Sequence, residues 1–141
     1  MADRVAFTQP QTGPGGYRRT GKFIGPTLMP ILAADVGTIN NTVQLCVIPA
    51  GFVVMSLFAS ATDMDTGGPT LTLSLGDTGS TARLLSASVI GQAGTSTATI
   101  VATAVGFKYT VDTNLQLLVA AAATTPAAGT LTVYLGGFMD L

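Results

Sequence analysis

The chain has 141 residues, of which 48% are hydrophobic and only 9% are charged, and it contains no His, Glu or Trp. Soluble domains are about a quarter charged, so this chain is short of the acids, bases and metal ligands on which most enzymes depend. The composition argues against an enzyme and favours a single domain that packs against other proteins, since so weakly charged a surface is poorly protected from association.

The first 40 residues have the composition of an extended arm. They contain four prolines and the turn-forming stretch GPGG at 13–16, without a sustained periodicity of 2 or 3.6 residues. Such a segment cannot fold alone, yet it carries aromatic and aliphatic side chains that a solvated linker would not need. We predict that residues 1–40 lie across a neighbouring surface, with contacts from Arg4, Phe7, Tyr17, Arg18, Arg19, Lys22 and Phe23.

The arm and the rest of the chain differ in charge. Residues 1–22 hold four basic side chains against Asp3 alone, whereas residues 23–141 hold two basic side chains against six Asp. The basic arm is therefore predicted to dock on an acidic protein surface. Contacts to nucleic-acid phosphates are the disfavoured alternative, because four basic residues give only weak, salt-sensitive binding.

Residues 41–141 have the pattern of a β domain. Residues 70–75 (TLTLSL) and 130–135 (TLTVYL) alternate with period 2, which is typical of half-buried strands. Further strands are predicted at 43–47, 52–60, 83–90, 95–105, 107–111 and 115–122, separated by Gly, Pro, Asp and Asn turns. About eight short strands predict an all-β, antiparallel β-sandwich or jelly roll. A helical turn at 117–123 is the alternative for the Ala-rich stretch.

No stretch of the sequence predicts a membrane span, because the apolar run at 46–61 is interrupted by Pro49 and Gly51 and is too short. The N-terminus leads into no hydrophobic segment, which predicts no secretory signal. The single Cys46 lies in an apolar run and is expected to be a buried thiol, with an interchain disulfide as the alternative.

Two Asp-containing loops are the candidate polar sites. Asp63 and Asp65 could begin a Ca²⁺ shell, but side chains that bond to turn backbone explain them as well, so no metal or cofactor is predicted. Gly76-Asp77-Thr78-Gly79 contains the Asp-Thr-Gly triplet of aspartic proteases, and a hairpin turn is the favoured interpretation. No His is present to activate a Ser, Thr or Cys nucleophile, and no small-molecule substrate is expected.

Several stretches resemble small virion proteins of tailed bacteriophages. The similarity is carried by IPAGFVV (48–54), DMDTG (63–67), LTLSLGD (71–77), GFKYT (106–110), AAAATTPAA (120–128) and GTLTV (129–133). The resemblance implies a β-sandwich decoration or cement subunit, often trimeric, seated on the major capsid protein at the capsid surface of a virion assembled in the bacterial cytoplasm.

The leading hypothesis is therefore a non-enzymatic capsid decoration protein that self-associates and binds the shell through its arm. The alternatives are a receptor- or glycan-binding module of a phage fibre or spike, and a minor head, neck or tail protein.

Overall fold

The structure is a computed structural model that describes residues 21–140. Eight strands make up almost all of the regular structure: β1 (Gly21–Ile31), β2 (Thr42–Ile48), β3 (Phe52–Ala61), β4 (Thr72–Gly76), β5 (Leu85–Ser88), β6 (Ser96–Thr97), β7 (Thr113–Ala121) and β8 (Gly129–Met139). A four-residue helix α1 (Ala33–Val36) follows β1, and a single 3-10 turn covers Ala102–Ala104.

The strands form two four-stranded sheets in which all pairings are antiparallel. Sheet 1 has the order β1-β8-β3-β6 and sheet 2 has the order β2-β7-β4-β5. The predicted all-β sandwich of about eight strands is confirmed. The helical alternative for 117–123 is wrong, because residues up to Ala121 belong to β7, between β2 and β4.

The core lies between the sheets and follows from the period-2 pattern. Every second side chain of a strand points to the same face, and in β8 the buried residues are Leu131, Val133 and Leu135. They pack with inward side chains of the other long strands, among them Leu57, Ala59, Leu73, Leu75, Leu115, Leu117 and Val119.

The structure divides the arm that the sequence predicted. Residues 21–31 form β1, which pairs with β8 from Gly21↔Phe138 to Ile31↔Gly129. Two prolines and a bulge between Ile24 and Thr27 interrupt the alternation that would have marked a strand, and proline is tolerated because β1 is an edge strand. Residues 1–20, the remainder of the predicted arm, lie outside the described residues.

The strands predicted at 83–90, 95–105 and 107–111 are reduced to Leu85–Ser88, Ser96–Thr97 and an isolated bridge at Lys108. Of residues 95–105, only Ser96–Thr97 pair as a strand, and the 3-10 turn follows. Residues 107–109 run beside the start of β3, where the N–H of Tyr109 donates to the Phe52 carbonyl oxygen at 2.9 Å. Gly106 reverses the chain with a φ of +86°, a conformation that favours glycine.

Candidate binding surface

Of the seven side chains predicted to make partner contacts, two lie in the described part of the chain. Lys22 and Phe23 are neighbours on β1, and both are exposed. The other five, Arg4, Phe7, Tyr17, Arg18 and Arg19, precede residue 21 and lie outside the described residues. The geometry of the predicted contact site is therefore described only at its β1 end.

Phe23 belongs to a larger group of exposed apolar side chains on the outward side of sheet 1. Its neighbour Ile24 pairs with Leu135 and packs against the core, so Phe23 points away from the core. The same alternation turns Leu28 outward, since Met29 packs against the core. We call the exposed side chains of this surface, Phe23, Leu28, Phe58 and Tyr134, the outer face.

The centre of the outer face is an aromatic pair on adjacent strands. Phe58 of β3 and Tyr134 of β8 lie opposite each other in the register. Their ring centroids are 6.2 Å apart with the planes at 62°, an edge-to-face contact. The pair links β3 and β8 on the side away from the core while leaving part of both rings open to solvent.

Gly136 provides the space in which the Phe23 ring lies. Gly136 pairs with Phe23 on one side and with Ser56 on the other. A Cβ at this position would collide with the Ser56 hydroxyl oxygen and would come within 3.2 Å of the Phe23 ring. The close approach of these two side chains favours glycine here, and the Phe23 ring lies against the space that a Cβ would fill.

The strands of the outer face carry almost no charge. Neither β3 nor β8 contains an Asp, Glu, Lys or Arg, and β1 contains only Lys22. Between the apolar side chains lie hydroxyl groups, those of Ser60 and Thr132, which face each other in the register. The surface is thus suited to burial against another uncharged surface, because no ion would have to be desolvated.

The outward side of sheet 2 has a different chemistry. Its centre is an amide pair, in which Gln44 Nε2 donates to Gln116 Oε1 at 3.1 Å. Val47 and Asn114, which pair nearby, are both exposed. Sheet 2 therefore presents a more polar surface than the outer face of sheet 1.

Asp77, the candidate protease aspartate, is engaged in structural contacts. Its carboxylate accepts hydrogen bonds from Arg83 Nε at 2.6 Å, from the Tyr109 hydroxyl at 3.0 Å and from two turn N–H groups, those of Gly79 and Ser80. Burial raises the pKa of Asp77, but the hydrogen bonds from Arg83, Ser80 and Tyr109 outweigh it and hold the pKa below its ordinary value. These contacts are those of a turn clamped to the sandwich, as the hairpin interpretation predicted.

Arg83 is held on two sides. Besides its bonds to Asp77, its guanidinium carbon lies 3.9 Å from the centroid of the Phe107 ring, a cation–π contact. Phe107 in turn meets Tyr109 edge to face, with ring centroids 5.0 Å apart. Burial, followed by the negative charge of Asp77, raises the pKa of Tyr109, whose protonated hydroxyl donates to Asp77.

Asp65, in the candidate Ca²⁺ loop, is directed at backbone rather than at an open site. It is 1% exposed, and its oxygens accept from the N–H groups of Thr70, Leu71 and Thr125 at 2.7, 3.0 and 2.9 Å. The Thr125 bond is the chief cause that lowers the pKa of Asp65. Asp63 Oδ1 accepts from the Asp65 N–H at 3.0 Å, as in an Asx turn.

The described residues hold no cluster of three or more His, Cys, Asp or Glu side chains that could bind a metal ion. Cys46 is half-buried, where the sequence predicted a buried thiol, and packs against the core. Within residues 21–140, no helix has the length and apolar character required to cross a bilayer.

The chain matches solved structures of phage capsids. No protein-family model matches the chain, and no curated protein does. A solved structure described as "Cyanophage Pam1 capsid asymmetric unit" contains a chain that is 28% identical, with 99% of this chain and 100% of that chain covered and a TM-score of 0.71. A chain in "Capsid of Ralstonia phage GP4" is 23% identical over 88% of this chain and 85% of that chain, with a TM-score of 0.67, and shares the fold.

These matches confirm the resemblance to virion structural proteins that the sequence stretches indicated. The outer face was missed at the sequence level, although a signal was present. In the β3 and β8 sequences, FVVMSLFASA and GTLTVYLGGFM, Phe58 and Tyr134 each lie between two buried residues. The position of Phe23 could not be inferred, because β1 was not predicted as a strand.

Proposed function

We propose that this chain is a capsid decoration, or cement, protein that binds the major capsid protein at the outer surface of a phage shell. The observation that carries the proposal is the match to a chain of the Pam1 capsid along the whole length of both chains at 28% identity. Such a match supports a structural capsid protein. We infer the more specific decorating role from the basic N-terminal segment and the uncharged outer face.

The sandwich is of the kind used by virion proteins, and we assign it to the jelly-roll topology. The pairs β1–β8, β2–β7, β3–β6 and β4–β5 all occur. This is the order obtained when one long eight-stranded hairpin is rolled up, the double Greek key of a jelly roll. Such a body supplies rigid faces for contact with neighbours.

A non-catalytic role fits the use of the buried acids. Of the carboxylates between residues 21 and 140, only Asp65 and Asp77 are nearly removed from solvent, and each accepts three or more hydrogen bonds from turn backbone or structural side chains. A general acid or base needs to exchange a proton with a substrate. Carboxylates with lowered pKa values, whose oxygens accept hydrogen bonds within the fold, stabilise loops instead.

The N-terminal segment is proposed to bind the shell. It enters the sandwich at Gly21, on the edge strand of sheet 1, and carries Arg4, Arg18 and Arg19 against Asp3. Repeated copies that self-associate, with a trimer as the favoured state, would combine weak arm contacts into strong attachment. Assembly would take place in the cytoplasm of the bacterial host.

Two experiments test the proposal: the number of copies per virion, and the binding of the full and truncated chains to shells. Quantitative mass spectrometry of purified virions is expected to find hundreds of copies of the chain. A count of about six or twelve copies per virion, as in a single ring, would indicate a neck or tail protein instead.

Shells lacking the protein should bind the full chain in co-sedimentation and should bind a variant without residues 1–20 far more weakly. If the truncated chain coats shells as well as the full chain does, the proposed arm role is wrong. A glycan array with specific hits on the full chain, together with no binding to shells, would favour the fibre or spike alternative.

A further inference from the structure

The outer face has the size of an apolar centre within a standard interface, which buries about 800 Å² per partner. Phe23, Phe58 and Tyr134 are 73%, 41% and 38% exposed. At about 200 Å² for each aromatic side chain, the three leave roughly 300 Å² of apolar surface in water. Leu28, on the same side of β1, adds to it. Exposed apolar patches of a few hundred Å² on single domains are commonly sites of protein contact.

The charge distribution indicates what binds there. Residues 21–140 carry Lys22, Arg83 and Lys108 against six Asp, a net charge of −3. Two copies that meet through the loops carrying these charges bring like charges together. Neither the outer face nor the strands of sheet 2 carry such charges, and of these two surfaces the outer face is the more apolar. Residues 1–20 carry a net charge of +2, three Arg against Asp3. They are suited to an acidic surface rather than to an uncharged one.

The edges of sheet 1 are poorly suited to recruit a second copy by strand pairing. The free edge of β1 is 11 residues long, and such an edge usually invites another strand. Pro26 and Pro30 remove two of its N–H donors, and the bulge between Ile24 and Thr27 breaks its register. At the opposite edge, β6 is only two residues long. A contact through the face of the sheet remains.

We propose that the outer face of Phe23, Leu28, Phe58 and Tyr134 binds a second copy of this chain. The inference deepens the proposed function and rests on the self-association proposed there. The Phe58–Tyr134 pair forms the centre of the contact, and Phe23 and Leu28 lie to one side of it on β1. The rings become buried against an equally uncharged surface, while the N-terminal segments remain available for the shell.

The test is the mass of the full-length chain in solution without shells, measured by analytical ultracentrifugation over a range of concentrations. The wild-type chain is expected to form a multimer of the 14.2 kDa chain. Phe58→Arg places a charge at the centre of the contact and is expected to weaken association about 100-fold. Val47→Arg is the matched control, an exposed valine on the outward side of sheet 2, and is expected to associate like the wild type.

Circular dichroism measures whether each variant is folded. If Phe58→Arg is unfolded, the test is repeated with Tyr134→Arg and Leu28→Arg. The proposal is overturned if the wild-type chain remains a single copy at every concentration, or if folded variants of the outer face associate like the wild type. It is also overturned if the wild type is a single copy and binds a hydrophobic dye only after residues 1–20 are deleted, since that segment would then cover the face.

The two proposals fail in different ways. A chain that associates through the outer face but does not bind shells contradicts the decoration role and leaves this inference standing. A chain that binds shells while Phe58→Arg associates normally contradicts this inference and leaves the decoration role standing.

Discussion

Asp77 connects the loop between β4 and β5, which includes Arg83, to the distant Tyr109, and its replacement is expected to be costly. Its carboxylate connects its own turn to Arg83 and to Tyr109, and its side chain is nearly removed from solvent. Asp77→Asn leaves the Arg83 guanidinium without its ionic partner. Loss of one member of a buried pair costs about 3–5 kcal/mol. Because the Arg83 side chain is 24% exposed, we expect about 2–3 kcal/mol, or roughly a 10 °C drop in Tm.

The matched control for that variant is Asp140→Asn. Asp140 pairs with Lys108 at 3.7 Å, and both side chains are almost half exposed, so less than about 1 kcal/mol is expected. Urea unfolding of the two variants provides the comparison. Equal stability of Asp77→Asn and Asp140→Asn would show that the clamp around Asp77 does not contribute to the fold.

The two buried carboxylates also determine how stability depends on pH. The pKa values of Asp65 and Asp77 both lie below the ordinary 3.8 in the folded chain. Their stabilisation is therefore complete above that value and is lost as the pH falls below it towards the folded-state pKa values. The chain has no His, so no side chain with an ordinary pKa titrates between about pH 5 and 8.

Thermal unfolding at a series of pH values checks this expectation. The melting temperature should be constant between about pH 5 and 8 and should fall below about pH 4. The fall should be smaller in Asp77→Asn, which has one fewer carboxylate to protonate. A wild-type melting temperature that changes steeply near neutral pH, or a variant that falls as steeply as the wild type in acid, would contradict the assignment.

At the scale of elements, β1 determines where the chain can be shortened. Ile24 and Met29 pack against the core, and Ile31 and the α1 residue Val36 are almost fully buried. At about 1.5–3 kcal/mol for each buried aliphatic side chain, their loss would remove most of the 5–15 kcal/mol that stabilises an ordinary domain.

Deletion of residues 1–20 is therefore expected to leave a soluble, folded chain, whereas deletion of residues 1–40 is expected to abolish folding. Circular dichroism and cooperative thermal unfolding of the two truncated chains measure the difference. A chain without residues 1–40 that unfolds cooperatively near the wild-type temperature would show that β1 is dispensable and that the sequence-based boundary describes the folding unit.

Strand prediction succeeded where one face of the strand is buried and failed where the chain makes irregular contacts. β8 alternates Leu131, Val133 and Leu135 with smaller or exposed residues, which fixes both its type and its inward side. β1 and β6 lie at sheet edges, where fewer contacts constrain the sequence and where proline, bulges and short pairings are tolerated. The order of the strands within the sheets depends on long-range pairing, which the local pattern does not encode.

The candidate surface was predicted only in part for a related reason. Phe23 and Lys22 were selected as contact residues from the composition of an arm, and both are exposed. Phe58 and Tyr134 lie 76 positions apart in the chain, and only the pairing of β3 with β8 places their rings together. The turn interpretations of Asp65 and Asp77 could be made locally, because Asp beside glycines has a well-known turn chemistry.

Along the chain, basic, acidic and uncharged stretches are partly separated. Residues 1–20 are basic, residues 21–140 carry the acidic excess, and the outer face of sheet 1 is uncharged. The separation allows two kinds of contact with different physical behaviour. Burial of the aromatic face would involve no charge for salt to screen, whereas contacts made by arginines in solvent are screened within about 8 Å at physiological ionic strength.

Binding to shells is accordingly expected to weaken as salt is added, and a variant without the three arginines tests the reason. In the triple variant Arg4→Gln, Arg18→Gln and Arg19→Gln, each lost contact is worth up to about 1 kcal/mol, so shell affinity should fall about 10- to 100-fold at low salt. Its affinity should also change little with ionic strength, because the charges that salt screens are gone.

The control is Lys108→Gln, which removes one exposed cation of the body and should retain the wild-type salt dependence. Co-sedimentation with undecorated shells over a salt series measures both quantities, and self-association measured in parallel should be the same for all three chains. A triple variant with wild-type affinity and salt dependence would place the shell contact on the body rather than on the N-terminal segment.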